Sequence, residues 1–302
     1  MSASPSPEPL PLIVARLRSA GCVFAEDEAQ LLISAAGSAA ELADLVDRRA
    51  AGESLEHVRG WAEFCGLRIA VGPGVFVPRR RTEFLVRQAT ALAGGTASPA
   101  GEPTALAGAA ASPAGFSGEP ASPAVPGPAR PATVIADLCC GSGAVGAALA
   151  AALGPVELHA VDIDPAAVEC ARRNLAAAGG QVYQGDLFEP LPPALAGRVA
   201  ILVANVPYVP TGELGLLPPE ARLHEPRVAL DGGTDGLDVL RRVAAAAPRW
   251  LAPGGHLLTE TSQGQAPQAA EVIAHAGLIA QVARSGELNA TVVTGSRPGL
   301  AA

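Results

Sequence analysis

The sequence predicts an α/β fold, a mostly parallel sheet covered by helices on both faces. Two observations carry this. From Thr133 onward, short apolar runs alternate with stretches of helical period, the order that builds strand–helix–strand units. The 302 residues are 49% hydrophobic and 17% charged, enough to bury a sizeable core. With aromatics at only 3%, that core must be built from Ala, Val and Leu.

The elements follow in order. Over residues 8–58 Leu12, Ile13, Leu17, Leu31, Leu32, Leu42, Leu45 and Val46 recur near helical spacing, and Gly21, Gly37 and Gly52 punctuate the runs as helix-ending glycines do. This predicts about three helices, too few to bury much alone. From Gly60 to Val77, apolar residues alternate around Gly72-Pro73-Gly74, which predicts a β-hairpin with its turn there. A short helix follows from Phe84 to Leu92. Residues 93–131 repeat Ala-Ser-Pro-Ala at 97–100, 111–114 and 121–124. That composition cannot repay the entropy of ordering and reads as a flexible insertion. Beyond it, strands are expected at Thr133–Leu138, Glu157–Ile163, Val182–Tyr183, Val199–Asn205, Gly255–Thr261, Leu278–Ala283 and Ala290–Thr294. Helices are expected at Gly141–Leu153, Pro165–Ala178, Leu237–Leu251 and Gln268–Ala276. The chain thus divides into 1–59 (helical), 60–92 (hairpin and connecting helix), 93–131 (insertion) and 132–302 (the α/β domain).

Composition excludes several classes. No run of about 18 uninterrupted apolar residues is present, so no membrane span is expected. Met1 to Pro11 carries no basic residue, which argues against a secretory leader. The net charge is −8 and every basic side chain is Arg or His. Such a chain is a poor general binder of phosphate backbones. Five cysteines, none in a C-x-x-C pair, fit reduced thiols in a cytoplasmic protein. No His or Cys lies at metal-ligand spacing, so no metal is expected.

Four stretches carry chemistry. The first is Asp137-Leu138-Cys139-Cys140-Gly141-Ser142-Gly143, a small-residue turn from a strand into a helix, whose N-terminus offers free N–H groups. The second is Asp162, at the end of the next strand, where a carboxylate can accept both hydroxyls of a ribose. Gly141-x-Gly143 is not completed by a third glycine two residues later in the dinucleotide pattern, the next being Gly146, and with no lysine in the chain there is no Walker motif. A phosphate-poor adenosine ligand, S-adenosylmethionine, therefore fits best. The third is Gly185-Asp186-Leu187-Phe188, where Asp186 can accept from an adenine amine and Leu187 can pack on the ring. The fourth is Asn205-Val206-Pro207-Tyr208. Asn205 Oδ1 and the Val206 carbonyl can accept two N–H protons from a planar nitrogen and hold it in line for attack. Tyr208 can pack against the planar group.

This last stretch resembles the N-P-P-Y motif of amino-methyltransferases. More broadly, the sequence resembles the HemK/PrmC-type protein-(glutamine-N(5)) methyltransferases. The resemblance runs through Phe76-Val77-Pro78-Arg79 with Thr82-Glu83, Asp137–Gly143, Ala160–Asp164, Gly185–Phe188 and Asn205–Tyr208. It continues through His224-Glu225-Pro226, Ala229–Gly233 with Asp235-Gly236-Leu237, and Leu251–Gly255. It covers nearly the whole chain except the insertion.

The resemblance implies a seven-stranded, mixed-sheet, Rossmann-like class I methyltransferase fold with a small N-terminal helical domain for substrate recognition. Residues 132–302 would bind S-adenosylmethionine and carry the catalysis. The substrate would be a glutamine in a translation protein, most often the Gly-Gly-Gln loop of peptide chain release factors, with a ribosomal protein as the relative's substrate. Residues 139–143, Asp162, Leu187 and Asn205 would contact the cofactor, and Asn205–Tyr208 the glutamine.

Three departures from the family pattern stand out: Cys139-Cys140 where small residues such as Gly-Thr are usual, Val206 in place of the first proline, and the insertion. Val206 keeps the carbonyl but loses the fixed φ of proline. Two other readings remain open on the residues alone. One is a nucleic-acid adenine or cytosine amino-methyltransferase, against which the acidic charge argues. The other is a cofactor-binding scaffold without turnover. Arg79-Arg80-Arg81 reads as a solvated run that partly closes over the site, and His224-Glu225-Pro226 as a hydrogen-bonded loop anchor. If 93–131 is a spacer, deleting residues 97–126 leaves turnover within about twofold; a large loss of turnover at unchanged stability would show a role for it.

Overall fold

The computed structural model describes residues 10–94 and 132–299. The expected insertion, from residue 95 through 131, lies outside the described residues, as does the start of the N-terminal segment.

The described residues open with four helices, one more than expected: α1 (Leu10–Ser19), α2 (Ala25–Ala35), α3 (Ala39–Ala50) and the five-residue α4 (Leu55–Arg59). Two of their starts, those of α3 and α4, are capped by serine side chains. Ser38 accepts from Glu41 N at 3.2 Å while Glu41 Oε2 accepts from Gly37 N at 2.7 Å, a reciprocal cap on α3. Ser54 caps α4 through His57 N, and Gly60, left-handed at φ 76°, ends it. Ile13, Leu17, Ala29, Leu32 and Val46 bury against one another in a small separate core.

The hairpin follows as β1 (Trp61–Phe64) and β2 (Leu67–Ala70), paired antiparallel with Phe64 opposite Leu67. Its turn is Cys65-Gly66, not Gly72-Pro73-Gly74 as the alternation predicts. Both central residues have positive φ, 49° and 73°, the two-residue turn that matches strand twist. Residues 72–74 form a second bend, and Val75 and Val77 belong to no strand. Helix α5 (Glu83–Ala93) then packs on the main domain.

That domain holds β3 (Thr133–Leu138), α6 (Ala144–Leu153), β4 (Val156–Asp162), α7 (Pro165–Leu175), β5 (Gln181–Gln184) and β6 (Val199–Ala204). After them come α8 (Pro219–His224), α9 (Asp238–Trp250), β7 (Leu251–Thr261), α10 (Ala266–His275), β8 (Ile279–Ser285) and β9 (Ala290–Ser296). The seven strands lie in the order β5-β4-β3-β6-β7-β9-β8. All neighbours are parallel except at β9, which runs antiparallel to both β7 and β8. This is the mixed sheet expected. Helix α6 starts three residues later than predicted, because Cys139–Gly143 forms a turn rather than a first helical turn.

Two apolar layers sandwich the sheet. One joins α9 and α10 to Leu138, Leu202 and Leu257. The other joins α5, α6 and α7 to Ile135, Ile201 and Leu258. Strand β3 pairs with β4 on one side and β6 on the other, so the strand order reverses there and a crevice opens at the carboxyl ends. Among the described residues no helix is long and apolar enough to cross a membrane.

One buried ion pair stitches the helical segment. Arg49 on α3 donates to Glu28 on α2 at 2.6 and 3.3 Å, with both side chains nearly inaccessible. It also bonds Glu53 O and Glu220 of α8, each at 2.9 Å. Removing one partner of such a pair strands a buried charge, so Arg49→Ala should cost about 3 kcal/mol in a urea denaturation. A loss near zero would mean that water reaches Glu28.

Candidate active site

Four loops leave the carboxyl ends of β3, β4, β5 and β6 and meet in one cavity of about 480 Å³. That volume lies in the range of ligand sites. The first loop is shaped by left-handed residues: Cys139 at φ 55°, Gly141 at 55° and Gly143 at 77°. At Gly143 a Cβ would come within 3.2 Å of the Ala171 backbone, so a side chain there would press α7 back by a few tenths of an ångström on a left-handed backbone that already favours glycine. Cys139 holds the same backbone form with a side chain, a strained choice for a non-glycine. Burial pushes both the Cys139 and Cys140 thiols well above the usual range. They stay protonated, as small apolar fillers would.

Gly146 completes a G-x-G-x-x-G spacing with Gly141 and Gly143, which corrects the expectation that the dinucleotide pattern is broken here. Its Cβ would stand 3.1 Å from Asp137 Oδ2 and 3.4 Å from Leu158, so it serves close helix–strand packing. The glycines alone therefore do not separate a dinucleotide from another adenosine ligand.

Asp162 ends β4 and faces the cavity. Its two oxygens accept backbone N–H groups, Oδ2 from Gly141 at 2.8 Å and Oδ1 from Asp164 at 2.9 Å. Each oxygen keeps a second lone pair. Burial raises its pKa against those two bonds. Asp186 lines the cavity in an ion pair with Arg242 Nη2 at 2.6 Å. Leu187, at φ 51°, is turned against the same wall. Ser142, Cys139, Cys140 and Gly141 also line it.

Asp137 and Gly143 do not. Asp137 sits behind the loop, 1% exposed, accepting from Gly146 N at 2.9 Å. It holds the first turn of α6 rather than facing a ligand, which corrects its expected place at the cofactor.

Asn205 to Tyr208 leave β6 on the opposite wall. Asn205 Oδ1 is buried and has no hydrogen-bond partner. Such an orphan is costly, and a ligand N–H is what would satisfy it. Val206 points into the core, 2% exposed. The loop is held by the glycine motif at 232–236. A Cβ at Gly232 would come within 2.7 Å of Pro207 O, and one at Gly236 within 2.3 Å of Tyr208 O. Val209 N donates to Leu230 O and Gly232 N to Val209 O.

Three residues here escaped the sequence reading: Arg242, Glu260 and Gln265. Nothing in their local context marks them. The arginine run is not simply solvated: Arg79 pairs with Glu225 at 2.5 Å and Arg81 with Glu260 at 2.8 Å. The expected loop anchor is thus Glu225 with Arg79 and Val77 N, not Glu225 with His224.

Seven carboxylates against three guanidiniums line the cavity: Asp162, Asp164, Asp186, Glu56, Glu220, Glu225 and Glu260 face Arg79, Arg81 and Arg242. This field suits a cationic ligand and repels a phosphate. The orphaned Asn205 oxygen and the Asp162 carboxylate fit S-adenosylmethionine, with its sulfonium charge and ribose.

Sheet order, glycine turn and β4-terminal acid together define a Rossmann-like, S-adenosylmethionine-dependent methyltransferase. The methyltransferase small domain family matches residues 128–214. The release factor glutamine methyltransferase of Geobacter sulfurreducens is 37% identical over 224 residues, 74% of this chain and 65% of that protein. Its namesake in Streptomyces coelicolor is 37% identical over 227 residues, 74% of this chain and 69% of that protein. The 4-amino-L-phenylalanine/4-methylamino-L-phenylalanine methyltransferase of Streptomyces pristinaespiralis is 33% identical over 220 residues, 71% and 63% respectively. The matched part thus spans about two thirds of each relative's length. The chain belongs to the release factor glutamine methyltransferase family.

Burial pushes the Asp137 carboxyl up to about 7, from an ordinary 3.8, against the pull of Gly146 N–H. The folded state therefore holds the proton while the unfolded chain has released it. This group's contribution to stability is full below about pH 4 and is lost as pH rises through about 7. Asp137→Asn should gain stability relative to the parent between pH 5 and pH 8 in urea denaturation. A pH-independent difference would mean that Asp137 is ionised throughout.

Proposed function

We propose that this chain transfers a methyl group from S-adenosylmethionine to the side-chain amide nitrogen of a glutamine, in the Gly-Gly-Gln loop of a peptide chain release factor. The observation that carries the reading is the buried, partnerless Asn205 Oδ1 at the cavity wall. When bound, S-adenosylmethionine supplies an electrophilic methyl group on a sulfonium centre.

The residues do the rest by position. Asn205 Oδ1 accepts one amide N–H and the Val206 carbonyl, which no hydrogen bond of the described residues uses, accepts the other. An amide nitrogen is a weak nucleophile, because its lone pair is delocalised. Two acceptors fix its plane and favour the positive charge that grows on it. Pro207 and Tyr208 flank the amide. No carboxylate or imidazole is hydrogen-bonded to Asn205 among the described residues, so the extra proton leaves to solvent after transfer. Asp162 takes the ribose hydroxyls, Leu187 packs on the adenine and Asp186, steadied by Arg242, accepts from its amine. Cys139 to Ser142 pass the backbone close to the methionine part.

The surroundings suit a protein substrate. Leu216, Leu223 and Val228 are exposed on the segment that borders the cavity, and Val228 lines it. These exposed apolar side chains, on a segment whose Leu217 and Val228 line the cavity, offer contact surface to a protein substrate. Helices α1–α4, tied to α8 through Arg49 and Glu220, act as the substrate-recognition unit. Such a substrate places the reaction in the cytoplasm. The carboxylate-rich cavity disfavours the nucleic-acid reading.

Asn205→Ala should lower methyl transfer to the release factor by at least ~100-fold, measured at saturating S-adenosylmethionine so that lost cofactor affinity does not contribute. Turnover close to the parent's would remove the proposed site.

A further inference from the structure

Beside the acceptor loop lies a closed polar triangle. Glu260, 3% exposed near the end of β7, accepts at Oε1 from Arg81 Nε at 2.8 Å and from the Tyr208 hydroxyl at 3.0 Å. Arg81 Nη2 donates to the same hydroxyl at 2.8 Å. The three residues come from three separate parts of the chain, and all line the cavity. At its other end Tyr208 is held by its backbone: Gln265 Nε2 donates to Tyr208 O and to Asp235 O, each at 2.9 Å.

We propose that Glu260 is a positioning residue for the transfer: through the Tyr208 hydroxyl and Arg81 it fixes the tyrosine ring that bounds the substrate slot beside Asn205. This rests on the function proposed above. The argument is geometric. Val206 removes the ring that would have fixed φ at the start of the loop, so the loop's stiffness has to come from elsewhere. A tyrosine tied at both its backbone and its phenol cannot swing about χ1 without breaking a bond, and any turn about χ2 leaves the hydroxyl, which lies on that axis, in place. Glu260 is itself rigid, because Glu260 pairs with Val292 of β9 while β7 also pairs with β6. Its second oxygen is buried and carries no partner. The negative charge is therefore shared among few donors, and the bonds to Arg81 and Tyr208 are charge-assisted, about twice as strong as neutral ones.

The test separates this role from general stability. Glu260→Gln keeps the shape and removes the charge. It should lower kcat/KM for the release factor by about tenfold, the worth of one charge-assisted bond, chiefly through KM, while the cofactor Kd stays within about twofold. In a Tyr208→Phe background the same substitution should cost less than about twofold, because the group it acts through is gone. Equal costs in both backgrounds would overturn the proposal.

A second readout needs no substrate. The chain has two tyrosines, so ring-labelled tyrosine gives two resonances, with Tyr208 assigned by its loss in Tyr208→Phe. Burial first, then the Glu260 charge, hold the Tyr208 phenol above its usual ionisation range, while Arg81 pulls it down. Glu260→Gln should move its titration to lower pH and Arg81→Gln to higher pH. If neither moves, the triangle does not exist in solution. Should the parent fail to methylate a release factor while these titrations move in opposite directions, the clamp stands and the substrate assignment falls.

Discussion

The site depends on the point where the sheet changes direction. Strand β3 has β4 on one side and β6 on the other, and the chain winds outward from it both ways. The loops after these strands therefore diverge instead of covering one another. The crevice receives the β3 and β4 loops on one wall and the β6 loop on the other. Parallel pairing holds the strand ends in register, Leu138 beside both Val161 and Ala204, so the Asp162 carboxylate and the Asn205 amide face a common cavity without any contact between them.

On that frame, chemistry is prepared by leaving groups unsatisfied. A folded chain ordinarily partners its buried polar atoms, yet Asn205 Oδ1 is orphaned here, and one oxygen each of Glu225 and Glu260 with it. All three are acceptors on residues that line the cavity. A donor-rich guest, a primary amide beside a cationic cofactor, is what such a wall can take. The backbone strain at Cys139 and Leu187 lies at the same cavity, as strain at ligand sites does. It is carried by a rigid surround: parallel strands beneath, and helices packed as close as Gly143 and Gly146 allow.

Much of this was legible in the sequence because it is local. Strand β3 was bounded to the residue by its apolar run, and the glycine turn, Asp162 and Asn205–Tyr208 were found as contiguous motifs at strand ends. Misreadings arose where two local signals competed. Gly72-Pro73-Gly74 looked the stronger turn, but Cys65-Gly66 takes the positive φ pair that closes a tight hairpin. Asp137 heads a ligand-binding motif, yet its own carboxylate turns inward to Gly146. What stayed hidden is long-range. Glu260 meets Arg81 across 179 residues of sequence and Tyr208 across 52. Arg242 reaches back to Asp186 across 56. No spacing rule joins such partners; only the sheet order does.

The central claim is that the orphaned acceptors of the β6 loop present a primary amide for methylation. The most direct measurement incubates the full chain with labelled S-adenosylmethionine and an unmodified release factor, and locates the methyl group by tandem mass spectrometry. The account predicts a single added methyl on the side-chain nitrogen of the Gly-Gly-Gln glutamine. A methyl group on another side chain, or none while calorimetry shows the cofactor bound, would contradict it.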